Sequence, residues 1–509
     1  MFLRTSGALG AAVSVAPLAG CGTGGDDMSE AELRELSAAQ AIAAIRSGRV
    51  NAERYVQALI TRAGNLKHLN TLITMNGSSA LAAARQIDAD REAGRELPAL
   101  AGLPIVVKDN INFRELPTSA GTTRLMNSKP TTTAPSLQKL LDAGALVLGK
   151  ANMHELAFGI TSTNLSLLAG PVANPYDETR IPGGSSGGTA AAIAARIVPC
   201  GLGTDTGGST RIPPALTGTA GLRPSVGNGG SQRRYTDTNA IVPVSHTRDT
   251  VGPMGRTLAD VALLDSVITG APLATVVPLA GLRLAVPASF WAGLDNQLAP
   301  IVEAARKKLA DARVELVDVD LPGLFELNNM VSFPVALHEP IADLPAYLEA
   351  SGLTGITLAD IAASIASPDV KEAFGGVLAD AFGPQYKAAI EIHRPALQKM
   401  YTDYFAANRL DAILFPTTIL PAAPMDTQHG SSTVTINGGP PAPTFPTYIR
   451  NTDPGSNAGI PGISLPAGLT SGGLPVGLAL DGPLASDTKL LSIGLAIEAL
   501  LGRVPGPPL

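Results

Sequence analysis

The chain has 509 residues, of which 45% are hydrophobic and 16% are charged, and its net charge is -6. This length and apolar content allow a large buried core, so the composition excludes a disordered protein. No Lys/Arg-rich run occurs along the chain, which argues against nucleic acid as a partner.

The first residues resemble the export signal of a bacterial lipoprotein. In "MFLRTSGALGAAVSVAPLAGC" one Arg precedes an apolar stretch, and Leu18 to Cys21 resembles a lipobox. We therefore predict a signal peptide at 1–20, a lipid anchor at Cys21 and a flexible tether at 21–30, with the protein exported to the cell envelope. The alternative is a start at Met28 and a cytoplasmic protein.

Helices and strands are predicted to alternate along the next part of the chain. Ser37 and Asn51 precede apolar residues at helical spacing, so each is expected to cap a helix. A strand at Ile105–Val107 is predicted to end at Lys108, and "SLQKLLDAGALVLGKANM" predicts a helix, a turn and a strand. Small residues at 190–198 predict a helix, and "PCGLGTD" a strand after it. This alternation indicates an α/β fold.

The second half of the chain predicts a further αβ unit, with "GLRLAVPASF" and "VELVDVDLP" around the helical "PIVEAARKKLADA". A mostly helical region follows, and then the Pro/Gly-rich 416–446, which we interpret as a cleft wall or lid. Two strands and a helix close the chain. We expect one domain over 31–509.

Two glycine-rich loops hold the candidate nucleophiles Ser185, Ser186 and Ser209. No G-x-x-x-x-G-K-[ST] motif is present, which argues against a phosphate-binding loop. Gly183–Gly187 matches the G-x-S-x-G elbow of α/β-hydrolases, in which Ser185 would be the nucleophile. That elbow follows a strand, whereas "NPYDETRIP" contains prolines and charges that disfavour one.

Histidine and cysteine are sparse, which bears on metal chemistry. No two histidines stand at metal-ligand spacing, so a zinc hydrolase is disfavoured, and we expect no metal and no cofactor. The six histidines are at positions 68, 154, 246, 338, 393 and 429.

Three segments together resemble the amidase signature family. They are "GLPIVVKDNI" with Lys108, "PGGSSGG" with Ser185, and "GTDTGGSTRIPP" with Ser209. The resemblance implies an α/β/α sandwich around a mixed, mostly parallel central sheet. It also implies a Ser-Ser-Lys triad in which Ser209 is the nucleophile, Ser185 the bridging serine with a cis peptide bond, and Lys108 the base. Family members diverge after about residue 320, so a variable substrate-side region is expected at about 325–450.

A lysine can take a proton from serine only when it is neutral. The pKa of Lys108 must therefore fall by about three units from its reference of about 10.4, and burial is one way to lower it. Lys108 follows the apolar "PIVV", which is consistent with burial. A lysine at the end of a strand can instead pair with a carboxylate, and Asp109 is the next residue.

Other residues near the serines are expected to support the reaction. Ser186 is expected either to hydrogen-bond Lys108 or to cap the following helix. Asp205 and Arg211 are expected to form a supporting ion pair, and Gly159 to leave room for a bulky substrate. Successive backbone N–H groups of the second loop are expected to converge on an oxyanion, at Thr206, Gly207, Gly208 and Ser209.

The resemblance implies hydrolysis of amides through an acyl-enzyme. "RRYTDTNAIVPVSHTRDTVGPM" looks most like the arylacetamide-type members, which favours a small apolar or aryl amide as the substrate. The alternatives on the same triad are a carbamate or ester hydrolase and a peptide amidase. Two rivals use the fold differently: an amidotransferase A subunit and a non-catalytic lipoprotein binding module.

Overall fold

A computed structural model of the protein describes residues 28–509. The predicted signal peptide and Cys21 lie outside these residues. The end of the predicted tether belongs to the folded chain instead, because Met28 packs against the core and Ser29 caps a helix that begins at Glu30. No helix within 28–509 combines the length and the apolar character needed to cross a bilayer.

The strands of the described chain form an eleven-stranded sheet and a separate two-stranded ribbon. The sheet has the order β1-β3-β2-β4-β6-β5-β12-β13-β9-β7-β8, and the ribbon pairs β10 with β11. The strands are β1 Leu72–Met75, β2 Pro104–Lys108, β3 Leu146–Ala151, β4 Cys200–Asp205, β5 Ala220–Arg223, β6 Thr250–Gly255, β7 Arg283–Ala285, β8 Glu315–Val317, β9 Ala412–Pro416, β10 Thr433–Val434, β11 Ala442–Pro443, β12 Gly462–Leu469 and β13 Pro475–Asp481.

Twenty α-helices surround the sheet in residues 28–509. They are α1 Glu30–Glu35, α2 Ala38–Arg46, α3 Ala52–Asn65, α4 Gly77–Glu92, α5 Pro135–Asp142, α6 Gly187–Ala194, α7 Ile212–Thr217, α8 Leu258–Thr269, α9 Ala288–Trp291, α10 Ala299–Asp311, α11 Leu324–Asn329, α12 Ser332–Ala336, α13 Pro340–Ala350, α14 Leu358–Ser364, α15 Pro368–Leu378, α16 Gly383–Ala388, α17 Arg394–Asn408, α18 Thr444–Ile449, α19 Asp453–Ala458 and α20 Asp487–Leu501.

The predicted mixed sheet is confirmed, but its strands pair less often in parallel than expected. Four neighbouring pairs are parallel, namely β2 with β3 and with β4, and β7 with β8 and with β9. The other six pairs are antiparallel. A parallel pair needs a long crossover, usually a helix, whereas the short connection between β12 and β13 permits only an antiparallel pair.

The central strands are covered on both faces. In β2, Val106 packs with α3, α4 and α6, whereas Ile105 and Val107 on the other face pack with α5 and α8. In β9, Leu414 packs with α10 and α20, while Phe415 packs with α17. Strands buried on both faces have continuous rather than alternating apolar sequences, as "PIVV" has. The α/β/α layering is therefore confirmed.

The two helix caps predicted near the start of the chain differ in outcome. Ser37 caps α2, because its side chain accepts from the backbone of Gln40. Asn51 holds the cap position of α3, but its side chain accepts from Arg91 instead. The carboxylate of Asp88 caps α3 from a neighbouring helix, with 2.9 and 3.0 Å contacts to the first two helical N–H groups. A partner supplied from α4 could not be deduced from local spacing.

Helix α6 begins three residues before the predicted start, and its first turn lies directly against the sheet. A Cβ atom at Gly188 would lie 2.2 Å from the backbone oxygen of Asn152 and 2.6 Å from that of Thr71. Only glycine allows this approach, since no side-chain movement can relieve a clash with backbone. The contact fixes the start of α6, and with it the serines just before it.

Replacement of Gly188 by Ala is therefore expected to destabilise the fold. The clash with backbone atoms should lower the free energy of unfolding by about 2 kcal/mol or more, measured by chemical denaturation. Gly375→Ala is the matched control, because Gly375 is a helical glycine whose Cβ position has no described atom within 4 Å outside its own helix backbone. The control should gain about 0.5–1 kcal/mol from helix propensity. Equal stability of the two variants would contradict this account of α6.

Candidate active site

Lys108 is the last residue of β2, and its side chain lies on the same face as Val106, beneath α6. The side chain is fully buried. Its Nζ donates to Ser185 Oγ and to Thr204 Oγ1, each at 2.7 Å. Burial lowers the pKa of Lys108 to about 7, although Asp205 and Asp249 oppose this at longer range. A large fraction of Lys108 is therefore neutral near neutral pH.

The adjacent carboxylate does not pair with Lys108. Asp109 lies 3.3 Å from Lys150 Nζ, and the hydroxyl of Ser119 donates to it as well. Within residues 28–509, no carboxylate forms an ion pair with Lys108. The alternative that Lys108 is one half of an ion pair with Asp109 is therefore wrong.

The structure joins the three predicted catalytic residues in one hydrogen-bonded chain. Ser185 Oγ lies 3.1 Å from Ser209 Oγ and 2.7 Å from Lys108 Nζ. The peptide bond between Gly184 and Ser185 is cis, as the resemblance implies. Residues 178–184 form no strand and no histidine contacts Ser185 Oγ among the described residues, so the elbow interpretation is wrong.

Ser186 has neither of its predicted roles. It stands at the cap position of α6, but its side chain forms no capping bond. Its hydroxyl instead donates to the carbonyl of Thr204 at 3.2 Å and accepts from the N–H of Thr204 at 3.3 Å. Ser186 therefore acts on Lys108 only through Thr204, which binds the ammonium directly.

The second serine loop is shaped by a buried carboxylate, that of Asp205. Arg211 Nε lies 3.2 Å from it, which confirms the predicted ion pair, and Arg223 Nη1 lies 3.0 Å away on the other side. Burial disfavours the ionised carboxyl, but the two guanidinium groups outweigh burial and hold the pKa of Asp205 well below its usual range. The same carboxylate accepts from the N–H groups of Gly208 at 2.9 Å and Thr210 at 3.1 Å.

The oxyanion prediction is wrong for Gly208, because its N–H already donates to Asp205. The N–H groups of Thr206, Gly207 and Ser209 have no hydrogen-bond partner in the part of the chain that the structure describes. The Thr206 hydroxyl donates to Asp249 at 2.6 Å, which anchors the start of the loop. These three N–H groups are thus the available donors.

A cavity of about 560 Å³ opens onto Ser209. Of the three hydrogen-bonded residues only Ser209 lines it, since Ser185 and Lys108 lie behind the nucleophile and are sealed from solvent. The Pro/Gly-rich segment 416–446 contributes to its wall through residues 431, 432 and 443–446. Much of the lining is aromatic or aliphatic, including Phe158, Ile160, Val244, Phe333, Phe382 and Phe445.

Gly159 lines this cavity, but the reason why a glycine is needed there differs from the expected one. A Cβ atom there would lie 2.1 Å from Nε2 of the buried His154. The glycine therefore makes room for the His154 ring, rather than for a bulky substrate. His154 also connects to the serine loop, because its backbone N–H donates to the carbonyl of Ser185 at 3.1 Å.

One His/carboxylate group in residues 28–509 has spacing suited to a cation, although the sequence predicted none. Ligand atoms of His246, Glu339 and Asp343 lie within 4.8 Å of one another. Glu339 already accepts hydrogen bonds from Ser245 and Thr247, and the ring of His246 bonds Asp343 at 3.0 Å. The bond to Asp343 raises the pKa of His246. These contacts join the 245–247 turn to α13.

Comparison with known proteins agrees with this site. A family model described as Amidase matches residues 54–491. Mandelamide hydrolase of Pseudomonas putida is 40% identical over 493 residues, which cover 93% of either chain. Indoleacetamide hydrolase of Rhizobium radiobacter is 42% identical over 454 residues, which cover 88% of this chain and 93% of that protein.

Similarity to solved structures agrees with the similarity to these sequence relatives. Peptide amidase from Stenotrophomonas maltophilia is 29% identical and superposes with a TM-score of 0.75, covering 93% of this chain and 98% of that one. A crystal structure described as an amidase is 30% identical, with a TM-score of 0.78, and covers 92% of this chain and all of that one. The chain belongs to the amidase family. It is an amide-hydrolysing enzyme, and the resemblance to the amidase signature family is confirmed.

Several residues of the amidase site were missed at the sequence level. Thr204 stands beside the predicted Asp205, and it could have been found from strand order, because the parallel neighbours β2 and β4 end at the same edge. Arg223, His154 and Asp369 carry no local signal. Each reaches the site from a separate element, so only the folded chain brings them together.

Loss of the Asp205 carboxylate is expected to be costly for the amidase fold. Asp205→Asn leaves Arg211 and Arg223 buried with too little opposing charge, which should lower the free energy of unfolding by about 3–5 kcal/mol. Urea denaturation measures the change. Asp311→Asn is the control, because Asp311 pairs with Lys307 at the exposed surface and should have little effect. Similar midpoints for both variants would contradict a structural role for Asp205.

Proposed function

We propose that the enzyme hydrolyses the C–N bond of small aryl or apolar primary amides through an acyl-enzyme on Ser209. One observation carries the proposal. Ser209 is the single member of the hydrogen-bonded Ser209–Ser185–Lys108 chain that faces the cavity, and that chain ends on a buried lysine with a pKa of about 7.

The geometry supports a proton relay. Ser209 Oγ attacks the amide carbon while its proton moves to Ser185 Oγ, whose own proton moves to the neutral amine of Lys108. The carbonyl electron pair shifts to oxygen, where the free N–H groups of the second loop are the available donors. Collapse breaks the C–N bond, and the leaving amine takes the proton back along the same route. Water, deprotonated in the same way, then releases the acid and restores the Ser209 hydroxyl.

The cavity favours an aryl group in the acyl part of the substrate. The rings of Phe333 and Phe445 have centroids 6.2 Å apart, and those of Phe333 and Phe382 lie 6.5 Å apart. Aromatic walls of this kind bind flat apolar groups through dispersion and edge contacts. The relatives named for mandelamide and for indoleacetamide support the same substrate class.

Replacement of Ser209 by Ala should abolish hydrolysis of phenylacetamide, with kcat reduced by about 10⁴-fold or more, because no acyl-enzyme can form. Ammonia release from the purified protein measures this. Ser79→Ala, at an exposed serine of α4, is the control and should retain full activity.

A panel of aryl amides, amino-acid amides, peptide amides, carbamates and esters should rank the aryl amides first. Full activity of the Ser209 variant, or of Lys108→Ala, would rule out this mechanism. Failure of the unmodified chain on every free amide would favour an amidotransferase subunit or a non-catalytic binding module.

The pH dependence should report the protonation of Lys108. Because only the neutral amine accepts the proton, kcat/KM is expected to rise as pH increases and to level off above the Lys108 pKa of about 7. Thr204→Val removes an acceptor of the ammonium, which disfavours the charged form, so the acid limb should move to lower pH. Thr204→Ser keeps the hydroxyl and should restore the original limb. An unchanged limb in the valine variant would contradict the role of Lys108 as base.

A further inference from the structure

One side of the cavity carries negative charge that no described residue of its lining neutralises. Asp369 and Glu372 lie three residues apart on the face of α15 that lines the cavity. Among the described lining residues the single cationic side chain is Arg248, which is already bound to Asp453 at 2.5 Å. Asp369 and Glu372 thus have no balancing cation among the described residues that line the cavity.

His154 contacts Asp369 without cancelling its charge. The imidazole is fully buried, and its Nδ1 accepts the backbone N–H of Ser162 at 3.1 Å. A nitrogen that accepts a hydrogen bond carries no proton, so the single ring proton is on Nε2 and the ring is neutral. Nε2 lies 3.0 Å from Asp369 Oδ2, but its N–H is not aligned for a hydrogen bond, and Asp369 Oδ1 has no hydrogen-bond partner within residues 28–509.

Asp369 lines the same cavity as Ser209 and is linked to the serine loop through His154. His154 bonds the Ser185 carbonyl through its backbone and contacts Asp369 through its ring, so one residue spans the distance between the serine loop and α15. Asp369 is in the first turn of α15, where the helix dipole stabilises a carboxylate. A charged acceptor therefore lines the same cavity as Ser209, where an acyl group on that serine would lie.

We propose that the enzyme prefers amides whose acyl part carries both an aryl ring and a protonated amine near the carbonyl, and that Asp369 accepts a hydrogen bond from this ammonium. The inference rests on the proposed function and narrows its substrate class. The aromatic wall takes the ring, and the Asp369 carboxylate supplies the one charged contact. Charge-assisted hydrogen bonds of this kind are the stronger ones in proteins.

Two ligands of nearly the same shape distinguish the effect of charge on binding from the effect of size. Phenylglycinamide has an ammonium group where 2-phenylpropanamide has a methyl group. Calorimetry on the Ser209→Ala protein at pH 6 measures binding without turnover, so its result does not depend on whether the enzyme hydrolyses either compound. We expect the ammonium ligand to bind at least about ten-fold more tightly, and Asp369→Asn to reduce the ratio to about one.

Glu372→Gln is the matched control, because it removes a carboxylate from the same face of α15, and it should leave the ratio within about three-fold. A ratio that Asp369→Asn does not change, or tighter binding of the methyl ligand to the Ser209→Ala protein that keeps Asp369, overturns the inference. A merely structural role of Asp369 would weaken both ligands equally and leave their ratio intact, which also overturns it. Hydrolysis of phenylacetamide by the unmodified enzyme tests the proposed function separately.

Discussion

The site depends on a lysine that is buried without a carboxylate partner in the described part of the chain. An ion pair with Asp109 or Asp205 would hold Lys108 in its charged form and leave it unable to accept a proton. The fold prevents both contacts by giving each acid other cations, Lys150 to Asp109 and two arginines to Asp205. Within residues 28–509, Lys108 keeps only hydroxyl and carbonyl partners, which satisfy its hydrogen bonds but compensate burial weakly.

The Asp205 carboxylate, which does not pair with Lys108, shapes the loop that holds the nucleophile Ser209. The Asp205 carboxylate takes two backbone N–H groups from the turn around Ser209, so the turn closes around a fixed anion. Arg223 comes from β5 and donates to the Asp205 carbonyl at 2.7 Å as well, which ties the loop to the sheet. The loop is therefore preorganised by buried electrostatics, since the free N–H groups do not need to reorganise when charge develops.

The sequence predicts the parts of this arrangement that are local. Two features follow from continuous runs of residues: Lys108 at the end of an apolar strand, and Ser209 in a loop that starts with Asp205. The resemblance to a family then assigns their roles. The pairing of the strands does not follow from such runs, because it depends on which strand edges remain free after the crossover connections have formed. The predicted roles of Ser186 were wrong for a similar reason. Its partner Thr204 is on β4, and only the packing of α6 against that strand brings the two residues together.

His154 joins the serine loop to the substrate-facing helix α15. Its backbone bonds the Ser185 carbonyl, its ring rests on Gly159 and its Nε2 faces Asp369 of α15. Gly159 admits the ring and is therefore constrained although it touches no catalytic group. Because α15 lies in the region where the resemblance predicts divergence among family members, we expect the residue facing Nε2 to vary while the backbone bond to Ser185 persists. Substrate preference can then change at position 369 without moving the proton relay, since His154 contacts Asp369 through its ring but holds the Ser185 carbonyl through its backbone N–H.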